Sequence, residues 1–119
     1  MNWTAVCELD DLNPNCGAAA LIEGEQIALF RLDETDLVFA IGNHDPFADA
    51  NVMARGIVGD MDGQLVVASP IYKQHFNLIT GKCLEDGDVG LPVWEVKVEG
   101  DTVWVRRGQG IEATLESAA

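Results

Sequence analysis

The chain has 119 residues, 48% of them apolar and 23% charged, the composition of one globular domain rather than of a disordered tail or a two-domain enzyme. Seven Lys plus Arg against twenty Asp plus Glu give a net charge of −13, which repels phosphate backbones and anionic lipid, so neither nucleic acid nor a membrane is an expected partner. The three cysteines, Cys7, Cys16 and Cys83, form no CxxC and no matched pairs, so neither a disulfide framework nor a zinc site is indicated.

The opening residues MNWTAVCELDD carry no basic start and no long apolar run, unlike a secretion signal, so the expected compartment is the cytoplasm. Residues 26–32 (QIALFRL) and 36–41 (DLVFAI) flank Asp33, Glu34 and Thr35, side chains that bond to their own backbone in turns, and the pair reads as a hairpin. Ile57 and Val58, a turn over 60–63 and the apolar run 65–68 suggest a second hairpin. That turn lacks the remaining ligands of a calcium loop and is read as a plain turn. The acids of Glu85, Asp86 and Asp88 are read as a solvated turn.

A third hairpin is clearer, with 93–98 (VWEVKV) alternating apolar and polar, a turn over 99–101, and 102–106 (TVWVR) returning. Trp3, Trp94 and Trp104 are assigned to the core. The domain is expected over residues 1–107. Residues 108–119 (GQGIEATLESAA) offer only Ile111 and Leu115 at helical spacing, too little for a stable helix, and are expected to be a flexible tail. Short β-branched and aromatic runs with no long helical period make the fold all-β.

No catalytic constellation is present: the sequence has no GxSxG, no GxxxxGK, no GxGxxG after a strand and no HExxH. What remains are two proline-containing loops, NHDPFA over 43–48 and SPIYKQHF over 69–76. The first, with the preceding Ala40, Ile41 and Gly42, resembles the first cluster-binding loop of Rieske ferredoxin domains. The second, followed by Leu78, Thr80 and Gly81, resembles the other. The resemblance implies a Rieske-like [2Fe-2S] ferredoxin-type antiparallel β-sandwich. It also implies four ligand positions, Cys-x-His in one loop and Cys-x-x-His in the other.

Those four positions here read Asp45, Phe47, Ser69 and Tyr72. Phe47 has no donor atom, Ser69 and Tyr72 are weak oxygen donors, and Asp45 is a hard carboxylate where a soft thiolate is required. The cluster-binding loops are therefore degenerate, and no metal or cofactor is expected in this chain.

The DPF of the first loop, the SPxYKQHF run and the TGxCLED that follows also make the chain similar to the small subunits of assimilatory NADH-dependent nitrite reductases. This similarity extends over roughly residues 3–106, with WTAVCELDDL, GEQIALFRL, RGIVGD and LPVWEVKVEGDTVWV fitting the same family. It implies a role in nitrate assimilation, as a non-catalytic accessory subunit of an NAD(P)H-dependent oxidoreductase. The partner it implies is a large subunit that carries FAD, an iron–sulfur cluster and sirohaem and reduces nitrite to ammonium.

On that basis Pro46, Phe47, Pro70, Tyr72, Lys73 and Phe76 are the expected docking residues, since prolines limit loop entropy and rings bury large area. The alternative is that these rings merely fill the vacated space. His44 and His75 have no acid–base partner visible in sequence and are read as structural histidines. Two other functions compete: an electron-transfer ferredoxin with unusual ligands, and a free-standing β interaction module acting as a regulator.

Overall fold

Three antiparallel sheets build the computed structural model, which describes residues 3–107. In chain order the strands are β1 (Thr4–Glu8), β2 (Gly17–Ile22), β3 (Glu25–Arg31), β4 (Val38–Gly42), β5 (His44–Asp45), β6 (Ala50–Asn51), β7 (Ile57–Met61), β8 (Gln64–Ala68), β9 (His75–Asn77), β10 (Val93–Glu99) and β11 (Thr102–Arg107). The large sheet runs β1-β11-β10-β4-β3-β2, the smaller one β7-β8-β9, and β5 pairs with β6 as a two-stranded ribbon. Among the described residues no helix is long and apolar enough to cross a membrane. The tail expectation for residues 108–119 lies outside the described residues.

All three expected hairpins form, the second and third with tighter turns than the residue types suggested and the first with a wider one, Arg31 pairing with Val38. Met61 pairs with Gln64, leaving Asp62 (φ 53) and Gly63 (φ 82) as a two-residue turn of the kind that requires two left-handed residues. Glu99 pairs with Thr102, so the last turn is only Gly100 and Asp101. The β3–β4 turn is longer, and the Asn15 side chain braces it by exchanging two hydrogen bonds of 2.9 Å with the backbone N–H and carboxylate of Asp33.

The strands β1 and β2 carry no sequence signal of the alternating kind. Residues 17–22 read GAAALI, and such small side chains form a strand only because β3 supplies a ladder from Gly17↔Phe30 to Ile22↔Glu25. A Cβ on Gly17 would lie 2.0 Å from the Ala54 carbonyl oxygen, so only glycine permits this approach.

Both faces of β3 are covered, which explains its unbroken apolar run. Ile27 and Leu29 enter a core with Leu12, Val38, Trp94, Val103 and Val105. Ala28 and Phe30 enter a second core with Ile41, Met53, Val67, Phe76 and Leu78. Of the three tryptophans assigned to the core, only Trp94 is there. Because Val103 and Val105 of β11 face inward, Trp104 and Arg106 alternate to the outer face. There Lys97 Nζ sits 4.7 Å from the Trp3 ring centre and 5.9 Å from that of Trp104. Trp3 and Trp104 thus cover charged stems instead of filling the core.

Candidate functional site

The first loop leaves β4 through Asn43, a buried side chain that pins its base. Asn43 Nδ2 donates to Gln26 Oε1 at 3.0 Å, and its Oδ1 accepts the Ala54 N–H at 2.8 Å. The chain then pairs His44 with Asn51 and Asp45 with Ala50, so residues 46–49 turn over at the end of the β5–β6 ribbon. Asp45 is fully buried. Its Oδ1 accepts the N–H of Phe47 at 2.8 Å and of Ala48 at 3.3 Å, the local turn for which aspartate before proline is suited.

The second loop leaves β8 at Ser69, also fully buried. The Ser69 N–H donates to the Gln74 carbonyl at 2.9 Å and its carbonyl accepts the Lys73 N–H at 3.2 Å, closing residues 69–74 on themselves. Lys73 takes φ 67 in this closure, a left-handed conformation uncommon for a long side chain. The Ser69 hydroxyl donates to Asp45 Oδ2 and accepts the Ile71 N–H at 3.3 Å.

The two loops therefore meet through Asp45 and Ser69, the positions at which a Rieske domain carries its two thiolates. The other two ligand positions diverge. Phe47 is half-buried, its ring centre 6.2 Å from that of Phe76, while Tyr72 stands 61% exposed beside Ile71 at 45%. Pro46 and Lys73 are exposed and Pro70 is half-buried. Phe76, expected among the docking residues, is fully buried in the second core. Its strand β9 turns it inward, so it supports Phe47 and has no surface to offer a partner.

Both histidines have side-chain partners, within the same ribbon for His44 and ten residues on for His75. His44 places Nδ1 3.0 Å from Asn51 Oδ1 and Nε2 3.1 Å from Asp49 Oδ1. The His75 N–H donates to Glu85 Oε1 at 2.7 Å, and its ring Nδ1 lies 2.6 Å from Glu85 Oε2. Glu85 is thus a capping side chain and not a free turn acid. Burial pushes its carboxyl up, but the hydrogen bonds from His75 and the attraction of that ring outweigh burial and leave it below the ordinary 4.5. Burial also raises the Cys83 thiol.

This donor set does not fit an iron–sulfur cluster. Asp45 and Ser69 spend their oxygens on one another and on loop amides, Phe47 offers no lone pair, and Tyr72 faces outward. The nearest cysteine in sequence, Cys83, is buried in the second core.

Residues 2–106 match the family described as Rieske-like [2Fe-2S] domain. The nitrite reductase (NADH) small subunit of Salmonella typhimurium is 42% identical over 104 residues, which cover 87% of this chain and 96% of that protein. The chain belongs to the nitrite reductase small-subunit family. The solution structure of the Escherichia coli member, NirD, superposes with a TM-score of 0.83 at 41% identity over 90% of this chain and 97% of that one. In Klebsiella oxytoca a stretch 41% identical over 107 residues lies inside a nitrite reductase NAD(P)H large subunit, covering 90% of this chain and 11% of that protein. The ferredoxin of carbazole 1,9a-dioxygenase from Nocardioides aromaticivorans shares the fold alone, with a TM-score of 0.76 at 23% identity over 91% of this chain and all of that one.

Membership of this family was readable from the loop motifs, but the Asp45–Ser69 pairing was not. The one available signal was that both thiolate positions hold small hydrogen-bonding residues, a complementary donor and acceptor.

Proposed function

We propose that the chain acts as the accessory small subunit of a cytoplasmic NAD(P)H-dependent nitrite reductase, binding the large subunit through its loop tip and contributing no redox centre of its own. Nitrite is reduced to ammonium on the large subunit, which holds the FAD, iron–sulfur cluster and sirohaem. The single observation that carries the docking assignment is the exposure of Tyr72 and Ile71 at 61% and 45%. They sit in the second loop, whose polar anchor Ser69 is fully buried against Asp45 of the first. Large apolar side chains left in water on a preformed loop are the composition of an interface anchor.

Pro46, Phe47, Pro70, Tyr72 and Lys73 make up the docking surface, with Phe76 beneath it. The occurrence of the same domain inside a large subunit in Klebsiella oxytoca supports a stable association of the two, since fusion keeps partners at high local concentration. The electron-transfer ferredoxin reading finds no support in the donor set.

Titration of the large subunit with the wild-type chain and with Tyr72→Ala, read as binding and as NADH-dependent nitrite reduction, tests the assignment. Wild type is expected to bind and raise turnover, and Tyr72→Ala to bind about tenfold more weakly with an unchanged melting temperature. Full activity of the large subunit alone would favour a regulator. Equal binding by both chains would remove Tyr72 from the interface.

A further inference from the structure

We propose that Asp45 and Ser69 are a positioning pair that performs the mechanical task of a cluster, locking the two tip loops in the orientation that presents Ile71, Tyr72 and Lys73. This rests on the reading of the tip as the docking surface. Among the described residues, the Ser69–Asp45 bond is the one hydrogen bond that joins the first loop to the second. The two residues are 24 apart in sequence and both are fully buried.

A buried carboxylate is costly unless its lone pairs are satisfied. Here they are: Asp45 accepts from the Phe47 and Ala48 amides within its own loop and from the Ser69 hydroxyl across the gap. The Ser69 oxygen in turn accepts the Ile71 N–H. A continuous chain of hydrogen bonds thus runs from the backbone N–H of the exposed apolar residue, through the hydroxyl, to a carboxylate that also accepts from the amides of the opposite loop. An apolar pair of similar size would fill the same volume, but methyl contacts have no direction and would leave the loops free to slide. A Rieske domain fixes this distance by bonding both thiolates to one iron. The pair fixes it with one directed hydrogen bond and no metal.

The test compares Ser69→Ala, which removes only the hydroxyl, with Asp45→Asn, whose amide can still accept from Phe47 and Ala48 and donate to Ser69. Amide exchange on the labelled chain reports the tether. Calorimetric affinity for the nitrite reductase large subunit, at a temperature where each variant is fully folded by circular dichroism, reports presentation. Ser69→Ala is expected to lose protection at Ile71 and to bind about tenfold more weakly, while Asp45→Asn keeps affinity within about threefold of wild type. Wild-type affinity in a Ser69→Ala chain that has lost protection at Ile71 would overturn the proposal, since the pair would then only stabilise. So would an Asp45→Asn chain as weak as Ser69→Ala, because the charge and not the bridge would matter. Absence of binding by the wild-type chain would overturn the docking assignment and this inference with it.

Discussion

Glu85 shows how one side chain can gain a role that its neighbours in sequence conceal. Beside Asp86, Gly87 and Asp88 it reads as a solvated turn acid, yet it returns to cap the N–H and ring of His75 in the second loop. Its carboxyl is held below the ordinary value, so the stability it contributes is fully present above about pH 4.5 and is lost as the pH falls through its folded value. The carboxylate is partly exposed, so screening limits the effect to about 1 kcal/mol. Urea denaturation of Glu85→Gln and wild type across a pH series is expected to show a gap at pH 7 that closes as the carboxyl protonates in acid, below its ordinary 4.5. A gap that widens in acid would contradict the assignment. Asp45 was readable as a residue unable to replace a thiolate, but its bond to Ser69 spans 24 positions, a separation over which residue types alone carry no pairing information.

At the level of elements, legibility follows side-chain pattern. The hairpins β3–β4, β7–β8 and β10–β11 announce themselves by β-branched runs around Gly, Asp and Thr, because alternation and turn chemistry act over a few residues. The edge strands β1 and β2 do not: β1 pairs with distant β11, Thr4 with Val105, and β2, although it returns directly to β3 through Glu23 and Gly24, is built from the small side chains of GAAALI without alternation. The outward turn of Trp104 and the inward turn of Phe76 likewise depend on register, which a single-residue reading cannot assign. Close backbone approaches are similarly hidden. Gly81 has φ +79, and a Cβ there would lie 2.1 Å from the Leu91 carbonyl oxygen, whereas a Cβ on Gly59 would meet nothing within 4 Å. Gly81→Ala is expected to destabilise the fold by about 2–4 kcal/mol and Gly59→Ala to change it by about 0.5 kcal/mol or less. Thermal denaturation of the two variants measures this, and equal melting temperatures would refute the close approach.

Across the whole molecule, the Rieske-like frame persists while the chemistry it ordinarily surrounds has been replaced by side chains that pack, tether and protrude. The four ligand positions have taken three separate duties: Asp45 and Ser69 join the loops, Phe47 packs on Phe76, and Tyr72 faces solvent. Fold and family were legible because the loop motifs are carried by contiguous residues. The division of duties was not, because it depends on which side chains face inward once two distant loops meet. The net charge of −13 adds a condition on the partner: a surface meeting this chain outside the tip does so most favourably where it is basic. The central claim is that the chain works by contact, without iron. Iron and acid-labile sulfide should therefore be measured in the small chain separated anaerobically from an active nitrite reductase complex. The account predicts neither element and no visible absorbance in a chain that still restores activity when added back, whereas stoichiometric iron and sulfide bound to it would contradict the account.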